Sequence, residues 1–218
     1  MPKPHAPGWD CDKCPRLADY RHANRTAQPD WHNAPVESAG PLSARLLIAG
    51  LAPGLRGANR TGRPFTGDFA GDLLYATLIK YGFAQGVYAR AADDGVSFED
   101  CRITNAVRCV PPQNKPTGAE INACRPFLES EIGAMANLCV ILALGGIAHQ
   151  AVLRTLGHKV SAHKFAHRAR HDLSSGLTLI DSYHCSRLNT NTGRLTEAMF
   201  HQVFDNIRGR LDAAGAAS

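Results

Sequence analysis

No stretch of this sequence is long and apolar enough to cross a bilayer. The longest apolar run, residues 139–144 followed by Gly145, Gly146 and Ile147, falls well short of the roughly 20 residues that a membrane helix needs. The first residues, MPKPHAPGWDC, also lack the apolar segment of a secretory signal. We therefore expect a soluble, cytoplasmic protein without membrane contact.

The sequence also lacks the two common phosphate-binding motifs. After the first predicted strand, residues 45–49, it has neither G-x-x-x-x-G-K-[ST] nor G-x-G-x-x-G, which argues against a nucleotide-binding α/β protein. It contains no internal repeat. The 218 residues, 44% of them hydrophobic, are enough for the core of one domain. We predict a single domain over residues 1–218, with an N-terminal arm at 1–44 and a tail at 213–218 that frays.

The charge balance is mildly basic. The chain has 24 Lys and Arg against 19 Asp and Glu, a net charge of +5 with its ten histidines neutral. This balance is compatible with a polyanionic partner without identifying one. The seven cysteines are an odd number. In a reducing compartment they are expected to be free thiols or metal ligands rather than disulfides.

Four short apolar segments predict β-strands, at residues 45–49, 101–107, 139–144 and 177–182. Segments with helical spacing follow them, at residues 71–81, 117–136, 147–156 and from Thr196 onward. Thr117 and Glu120 have the spacing of a capping box. Strands that alternate with helices predict an α/β fold with a mostly parallel sheet and helices on both faces. Residues 22–44, 82–100 and 158–171 are predicted to form an arm and loops.

The long loop from Gly50 to Leu74 is the first candidate site. It holds six glycines and two prolines and connects the first strand to a helix. Such a loop lies at the carboxyl end of the sheet, where open α/β proteins bind their ligands. Loops of this length in compact domains are usually functional.

Polar groups follow three of the predicted strands. The first strand leads to Phe65 and Asp68, the second carries Asn105, and the fourth leads to His184. Since the carboxyl ends of parallel strands meet at one edge, these side chains are expected to form a pocket. Taken singly, Asp68 could be only a helix cap, Asn105 a satisfied polar group and His184 a surface residue.

The cysteines suggest a metal centre. A C-x2-C pair near the N-terminus is matched by two cysteines after the second strand and in the next helix, which together form the set Cys11, Cys14, Cys109 and Cys124. Four thiolates hold either zinc or an iron–sulfur cluster, and their spacing does not distinguish the two. Cys101 and Cys139 are interpreted as small buried hydrophobic residues.

Four segments together resemble the iron–sulfur uracil-DNA glycosylases, most closely the type B, or family 5, members. These segments are GLAPG (50–54), GRPFTGD-x-AG (62–71), TNAVRC (104–109) and SYHCSRLNTNTGRLT (182–196). The resemblance runs from Cys11 to the last helix. It implies a three-layer α/β/α sandwich around a four-stranded, mostly parallel sheet, and a 4Fe-4S cluster on the four cysteines.

The resemblance also implies a DNA repair enzyme that flips uracil out of DNA and hydrolyses its N-glycosidic bond, leaving an abasic site. Hypoxanthine and other deaminated or modified bases are further expected substrates, in double-stranded and single-stranded DNA. We expect a monomer that is nucleoid-associated while on DNA. The alternative is an iron–sulfur DNA-binding module with weak or no catalysis.

Residue roles follow from the same motifs. Phe65 is expected to stack on the extruded base, Asn105 to bond its pyrimidine edge, and His184 to face the uracil O2. The remaining predicted substrate-binding residues are Gly50, Ala52, Pro53, Gly54, Asn59, Leu188 and Asn189. Leu188 is either an apolar wedge that fills the vacated stack or ordinary packing beneath its loop.

Two departures from the wider superfamily matter. Its first motif carries a polar, water-orienting residue, whereas this chain has Leu51, Ala52 and Pro53. Asp68 is then the candidate for that role. The second motif commonly reads HPSPL, and here both prolines are replaced by Cys185 and Arg187.

A basic segment is the candidate phosphate-binding surface. Residues 154–171 carry five lysines and arginines interleaved with histidines. Although such a run could be an ordinary solvated loop, interleaved positive charge suits phosphate contacts. The residues predicted to bind the DNA backbone are Lys164, Arg168, Arg187 and Arg194.

Overall fold

The structure is a computed structural model of the chain, and it describes residues 3–173 and 176–215. In chain order the elements are α1 (Pro15–Ala27), β1 (Leu46–Gly50), α2 (Ala58–Thr61), α3 (Phe69–Lys80), β2 (Ala84–Gln85), β3 (Ser97–Phe98), β4 (Cys101–Asn105), α4 (Gly118–Ala134), β5 (Val140–Leu144), α5 (Gly146–Thr155), β6 (Arg170–Asp172), β7 (Thr178–Ser182), α6 (Arg187–Asn191) and α7 (Glu197–Gly215).

The central sheet has five strands, in the order β4-β1-β5-β7-β6. The first four are parallel, as predicted, and β6 pairs antiparallel with β7. The predicted count of four strands is therefore wrong by one. The strand β6 consists only of Arg170, His171 and Asp172, so it carries no apolar signal, and its segment has the sequence character of a loop. It adds to the sheet edge through backbone pairing rather than through burial.

Helices cover both faces of the sheet, which confirms the predicted three-layer α/β/α architecture. In β1, Leu46 and Ile48 pack into one core with residues of α3 and α7. Leu47 and Ala49 point to the other face and pack with residues of α4 and α5. Every residue of β1, β5 and β7 is buried, which explains why these strands read as continuous runs rather than as alternating patterns.

The helix starts follow local capping. Helix α3 begins at Phe69 after Asp68 as N-cap, and α4 begins after Thr117, where both hydrogen bonds of the predicted capping box are present. Helix α7 extends to Gly215 and so includes residues 213–215 of the tail expected to fray, whereas residues 216–218 lie outside the described residues. Within the described chain, no helix is long and apolar enough to cross a membrane.

The N-terminal arm contains a helix that its sequence pattern does not predict. Helix α1 follows directly on Cys14 and buries few apolar side chains, so its amphipathic signal is weak. Further along the arm, Ala39 forms an isolated antiparallel bridge with Ile103 of β4. The arm therefore covers the outer edge of β4, which would otherwise be an unpaired sheet edge.

Candidate active site and metal centre

A cavity of about 380 Å³ opens at the carboxyl ends of β1, β4 and β7. Predicted site residues that line it are Ala52, Pro53, Gly54, Phe65, Asp68, Asn105, His184 and Arg187. The loop after β1 therefore lies at the edge of the sheet where it is expected. The structure also brings together the three polar groups that follow separate strands.

Asn105 lines this cavity, and Gly50 lies behind Asn105, outside the lining. They are paired across β1 and β4, and a Cβ on Gly50 would lie 2.4 Å from Asn105 Oδ1 and 2.5 Å from Cζ of Phe65. An alanine at position 50 would have to displace one or both of these side chains. Asn105 is 4% exposed, and its Oδ1 has no hydrogen-bond partner in the described structure. A buried acceptor left unpaired costs about 1–3 kcal/mol, so this oxygen is a ready acceptor for a ligand N–H.

Phe65 presents its ring to the cavity from a strained backbone. Its φ is +54°, a conformation that bulky residues rarely adopt and that costs on the order of 1–3 kcal/mol. The centroid of its ring lies 6.0 Å from that of His184, with the two planes 32° apart. An aromatic face and an imidazole thus flank the same space.

Asp68 both caps α3 and lines the cavity. Its Oδ1 accepts a hydrogen bond from the backbone N–H of Gly71 at 3.2 Å, and its Oδ2 packs against the backbone of Gly57. Burial raises the pKa of Asp68, although the backbone N–H groups of Gly71 and Ala70 oppose the shift. Asp68 is thus a helix cap, as one interpretation predicted. It is also a carboxylate with a raised pKa that faces the cavity, which is typical of functional sites.

His184 is a neutral imidazole at neutral pH, because burial lowers its pKa. The side-chain amide of Asn189 donates a hydrogen bond to the His184 carbonyl at 2.8 Å. Asn189 does not line the cavity, so the structure gives it a supporting position behind His184 rather than contact with a ligand.

Asn59 also lies away from the cavity. Its side chain is fully buried and donates a hydrogen bond to Asn33 Oδ1 at 2.9 Å. The predicted contact of Asn59 with substrate does not fit this geometry, because the side chain turns toward the N-terminal arm. Leu188, by contrast, is 72% exposed beside the cavity residue Arg187, which is the opposite of packing beneath its loop.

Asn114 is a lining residue that was not predicted, because the turn-rich segment after β4 has the sequence character of a connector. Gln113 and Asn114 both have φ of +56°, so the chain makes a sharp left-handed turn there. Asparagine tolerates that conformation better than most residues do. The asparagine at position 114 is therefore the one sequence feature that could have indicated this turn.

Of the four predicted phosphate-binding residues, only Arg187 lines the cavity, where its guanidinium packs 5.3 Å from the ring centroid of Phe69. Arg194 packs over Tyr183 at 4.6 Å. Lys164 and Arg168 are exposed. Phe165, between them in sequence, packs against Gly146 and Tyr183, which places this basic segment beside the carboxyl ends of β5 and β7.

A buried histidine–aspartate group anchors the same segment. His149 Nδ1 lies 2.8 Å from Asp181 Oδ1, and His171 Nε2 lies 3.0 Å from Asp181 Oδ2. Burial alone would lower the pKa of His149, but the hydrogen bond and charge of Asp181 raise it above the ordinary value. Since His149 Nε2 also faces the carbonyl of His163 at 2.9 Å, both ring nitrogens meet acceptors, as an imidazolium requires.

The four predicted metal-ligating cysteines converge between α1, β4 and α4. Burial, and then the proximity of Cys124, raises the pKa of Cys14 to about 11 and that of Cys109 to about 12. Cys11 raises the pKa of each of the other three thiols as well. Of the remaining cysteines, Cys101 is fully buried as predicted, whereas Cys139 is only partly buried.

The cysteine sulfurs lie farther apart than the ligands of a single zinc ion would. Over residues 3–173 and 176–215, only His149, His171 and Asp181 bring three ligand atoms within 4.8 Å of one another, so no three of the cysteine sulfurs lie that close. Zinc bonds of about 2.3 Å would hold them closer together. Arg21, 2% exposed, directs Nη1 at Cys109 Sγ at 3.8 Å, while its Nε and Nη2 have no described partner. A buried cation with unused donors suits a negatively charged group beside it.

Comparison with known proteins identifies the family. Residues 37–208 match the model of the uracil DNA glycosylase superfamily. The chain is 44% identical over 199 residues to a type-5 uracil-DNA glycosylase from Thermus thermophilus, covering 88% of this chain and 90% of that protein. It is 45% identical over 209 residues to a type-5 enzyme from Mycobacterium leprae, covering 91% and 90%.

More distant relatives bear the type-4 name. One from Thermotoga maritima is 34% identical over 182 residues, covering 83% of this chain and 79% of that protein. Identity is thus higher to the type-5 relatives than to this type-4 relative, and it extends over nearly the whole chain. The chain therefore belongs to the uracil DNA glycosylase superfamily, and within it to the type-5 group.

Proposed function

We propose that this protein excises uracil from DNA by hydrolysing the N-glycosidic bond, leaving an abasic site. The observation that supports this most directly is the unpaired, buried Oδ1 of Asn105 beside the ring of Phe65. A uracil edge offers an N–H donor, and its flat ring suits an aromatic face. The type-5 relatives carry the name of this activity.

Cleavage of the N-glycosidic bond requires stabilisation of charge at two places. Departure of the base leaves a sugar with oxocarbenium character and places negative charge on the leaving base. Donors near the uracil O2 and a carboxylate near the sugar and the attacking water meet these demands. In our proposal neutral His184 donates to O2, and Asp68 orients the water and accepts its proton.

The base must leave the stack before it can enter the cavity, at a cost of a few kcal/mol that is least for a mispaired base. Uracil opposite guanine fits that bias. Leu188, exposed beside the cavity, is the proposed wedge that fills the gap. Arg187, Arg194, Lys164 and Arg168 are the proposed phosphate contacts, and they would position DNA without reading its sequence.

We propose that the four cysteines hold a 4Fe-4S cluster, which would covalently tie α1 to β4 and α4. No step of the excision passes through it. The residues of this chain that would support it are Cys11, Cys14, Cys109 and Cys124, with Arg21 opposing their negative charge. The single-domain and monomeric states are part of the same proposal.

The proposal also covers which bases the protein excises. A cavity of about 380 Å³ lies near the lower end of small-molecule sites, which are about 300–1,000 Å³. It is sized for a single base rather than for a nucleotide. Because no polar side chain narrows the GLAPG wall, we include hypoxanthine, a larger deaminated base, among the substrates.

An excision panel tests this proposal. Labelled oligonucleotides carrying uracil, hypoxanthine or thymine are incubated with the protein, as single strands and opposite normal partners, and abasic sites are cleaved by alkali. We expect uracil to be excised, hypoxanthine more slowly, and thymine not at all. DNA binding without any excision would instead support the non-catalytic module.

Binding measured against salt tests the phosphate contacts. Removing one phosphate-binding side chain should reduce the slope of log affinity against log salt by about 1. Arg194→Ala is therefore expected to flatten the slope without changing the ranking of substrates. Arg210→Ala provides a charge-matched control, because its guanidinium bonds Thr178 at the start of β7, at the opposite end of the strand from the cavity. Equal slopes for both variants would remove Arg194 from the interface.

A further inference from the structure

The turn that carries Phe65 is held against its own backbone preference. Phe65 has φ of +54° and Gly67 has φ of +90°, so two of three successive residues are left-handed. The carbonyl of Phe65 packs directly on the backbone of Gly71, where a Cβ would lie 1.9 Å from that oxygen. The direction of the Phe65 ring therefore depends on whatever fixes this turn.

One hydroxyl from a distant part of the chain bonds both sides of the turn. Tyr88 Oη accepts a hydrogen bond from the Gly67 N–H at 3.1 Å and donates one to the Phe65 carbonyl at 3.3 Å. The tyrosine hydroxyl has one proton to donate and lone pairs that accept. Here the proton bonds the Phe65 carbonyl, and a lone pair accepts the Gly67 N–H. Burial raises the pKa of Tyr88, which keeps that proton in place.

Tyr88 is itself fixed in position. Its ring stacks on that of Tyr75, with centroids 4.3 Å apart and planes 4° apart. The loop that follows Tyr88 is closed by Asp94, which accepts a hydrogen bond from Ala89 N–H at 3.0 Å. Asp94 also pairs with both terminal nitrogens of Arg63, at 2.7 and 2.8 Å. Its side chain is fully buried, so this pair is shielded from water.

We propose that Tyr88 is a positioning residue for base excision, because its hydroxyl holds the Phe65 turn in the one conformation that presents the ring to the extruded base. This inference rests on the proposed function and adds to it a residue that lies outside the cavity lining. Tyr88 touches neither the base nor the water, and it acts only through Phe65. Its effect should therefore appear in the chemical step and not in DNA binding.

The competing explanation is that the ring is fixed without Tyr88. Phe65 already packs against Gly50, and Tyr75 Oη already donates to the Pro64 carbonyl at 2.9 Å. In that case the Tyr88 hydroxyl would contribute to stability alone. The two explanations predict different ratios of rate loss to stability loss.

Tyr88→Phe tests this, because it keeps the stack on Tyr75 and removes both hydrogen bonds. The matched control is Tyr81→Phe, which removes a hydroxyl bonded to the His201 carbonyl at 3.0 Å and to Asp205 Oδ1 at 2.7 Å. The measurements are the single-turnover excision rate of uracil at saturating protein, affinity for a duplex with uncleavable 2′-fluoro-2′-deoxyuridine, and thermal melting.

A misplacement of about 1 Å costs on the order of 100-fold in rate, and a loosened but present ring should cost about tenfold. We expect Tyr88→Phe to lose about that factor while duplex affinity stays within about twofold, and Tyr81→Phe to keep the wild-type rate. The loss should be equal on single-stranded substrate, since the ring acts after the base has left the stack.

An unchanged rate in Tyr88→Phe, or a loss that Tyr81→Phe shares at equal melting temperature, would overturn the inference. A loss confined to duplex substrate would do so too, because it would place Tyr88 on the DNA face. Should Tyr88→Phe melt low, all three proteins are assayed at a temperature where Tyr88→Phe stays folded, and the rate loss relative to wild type and Tyr81→Phe is still expected there. Wild-type protein that does not excise uracil would instead refute the proposed function itself.

Discussion

Replacing Asp68 by asparagine separates its role as the N-cap of α3 from its proposed role in orienting the attacking water. Asparagine keeps an oxygen that can accept the Gly71 N–H hydrogen bond now at 3.2 Å, and it is as good a helix cap as aspartate. The lost charge at the α3 N-terminus is worth about 0.3–1 kcal/mol, and relief of a buried charge offsets part of it. The free energy of unfolding should therefore change by less than about 1 kcal/mol.

The excision rate should fall far more. A positioned carboxylate that accepts a proton contributes about 10²–10⁴ in rate, which corresponds to roughly 3–5 kcal/mol of transition-state stabilisation. The assay is single-turnover uracil excision beside chemical denaturation of the same variant. Thr196→Ala, which removes the cap at the start of α7, controls for cap loss without touching the cavity.

The pH profile supplies a second readout. In the proposed mechanism excision needs ionised Asp68 and neutral His184, so the rate should fall as pH drops. The raised pKa of Asp68 moves that fall to higher pH than an ordinary aspartate would give. The lowered pKa of His184 moves its own protonation to lower pH than an ordinary histidine would give. If Asp68→Asn keeps a rate within about threefold of wild type and the same acid limb, the water-orienting assignment is refuted.

Three other variants test the remaining features. Gly50→Ala should fold but lose at least about 100-fold in excision rate, because its Cβ would lie 2.4 Å from Asn105 Oδ1. A crystal structure of this variant with an undisturbed cavity would contradict the prediction. Cys124→Ser should abolish the visible absorbance of the cluster and lower the melting temperature of the purified protein, whereas a colourless wild type with bound zinc would exclude the cluster. The folded-state pKa of His149 is raised above 6.5, so the stabilisation by its pair with Asp181 is present below that pH and is lost as pH rises through the folded-state pKa. Asp181→Asn should flatten this decline in denaturation midpoints, and an unchanged slope would show that the pair does not titrate in that range.

Much of the fold was predictable because its signals are local. The continuous apolar runs of β1, β5 and β7 and the capping box at Thr117 each follow from a few neighbouring residues. The strand β6 and helix α1 were not predictable in this way. The strand is polar and only three residues long, and the helix buries little apolar surface, so tertiary contacts rather than periodicity place them.

In the candidate site, too, some features were predictable from the sequence and others were not. The residues at strand ends, such as Asn105 and His184, were predictable because parallel topology brings those ends together. The supporting contacts were not, since Tyr88 reaches Phe65 from a loop without a motif. Asn59 lies in the predicted loop from Gly50 to Leu74, yet its side chain turns away from the cavity, and no sequence pattern encodes that rotamer.

The hydrogen bond between Asn59 and Asn33 has a consequence for how distant parts of the molecule depend on each other. Asn33 also donates to the carbonyls of Asn24 and Gln28 at the end of α1, while its own backbone N–H bonds the Asn59 carbonyl at 3.0 Å. The Asn33 side chain thus links the helix that follows Cys14 to Asn59, the neighbour in sequence of the cavity residue Ala58. Local unfolding of the arm would break these hydrogen bonds together and so loosen the segment that carries Ala58.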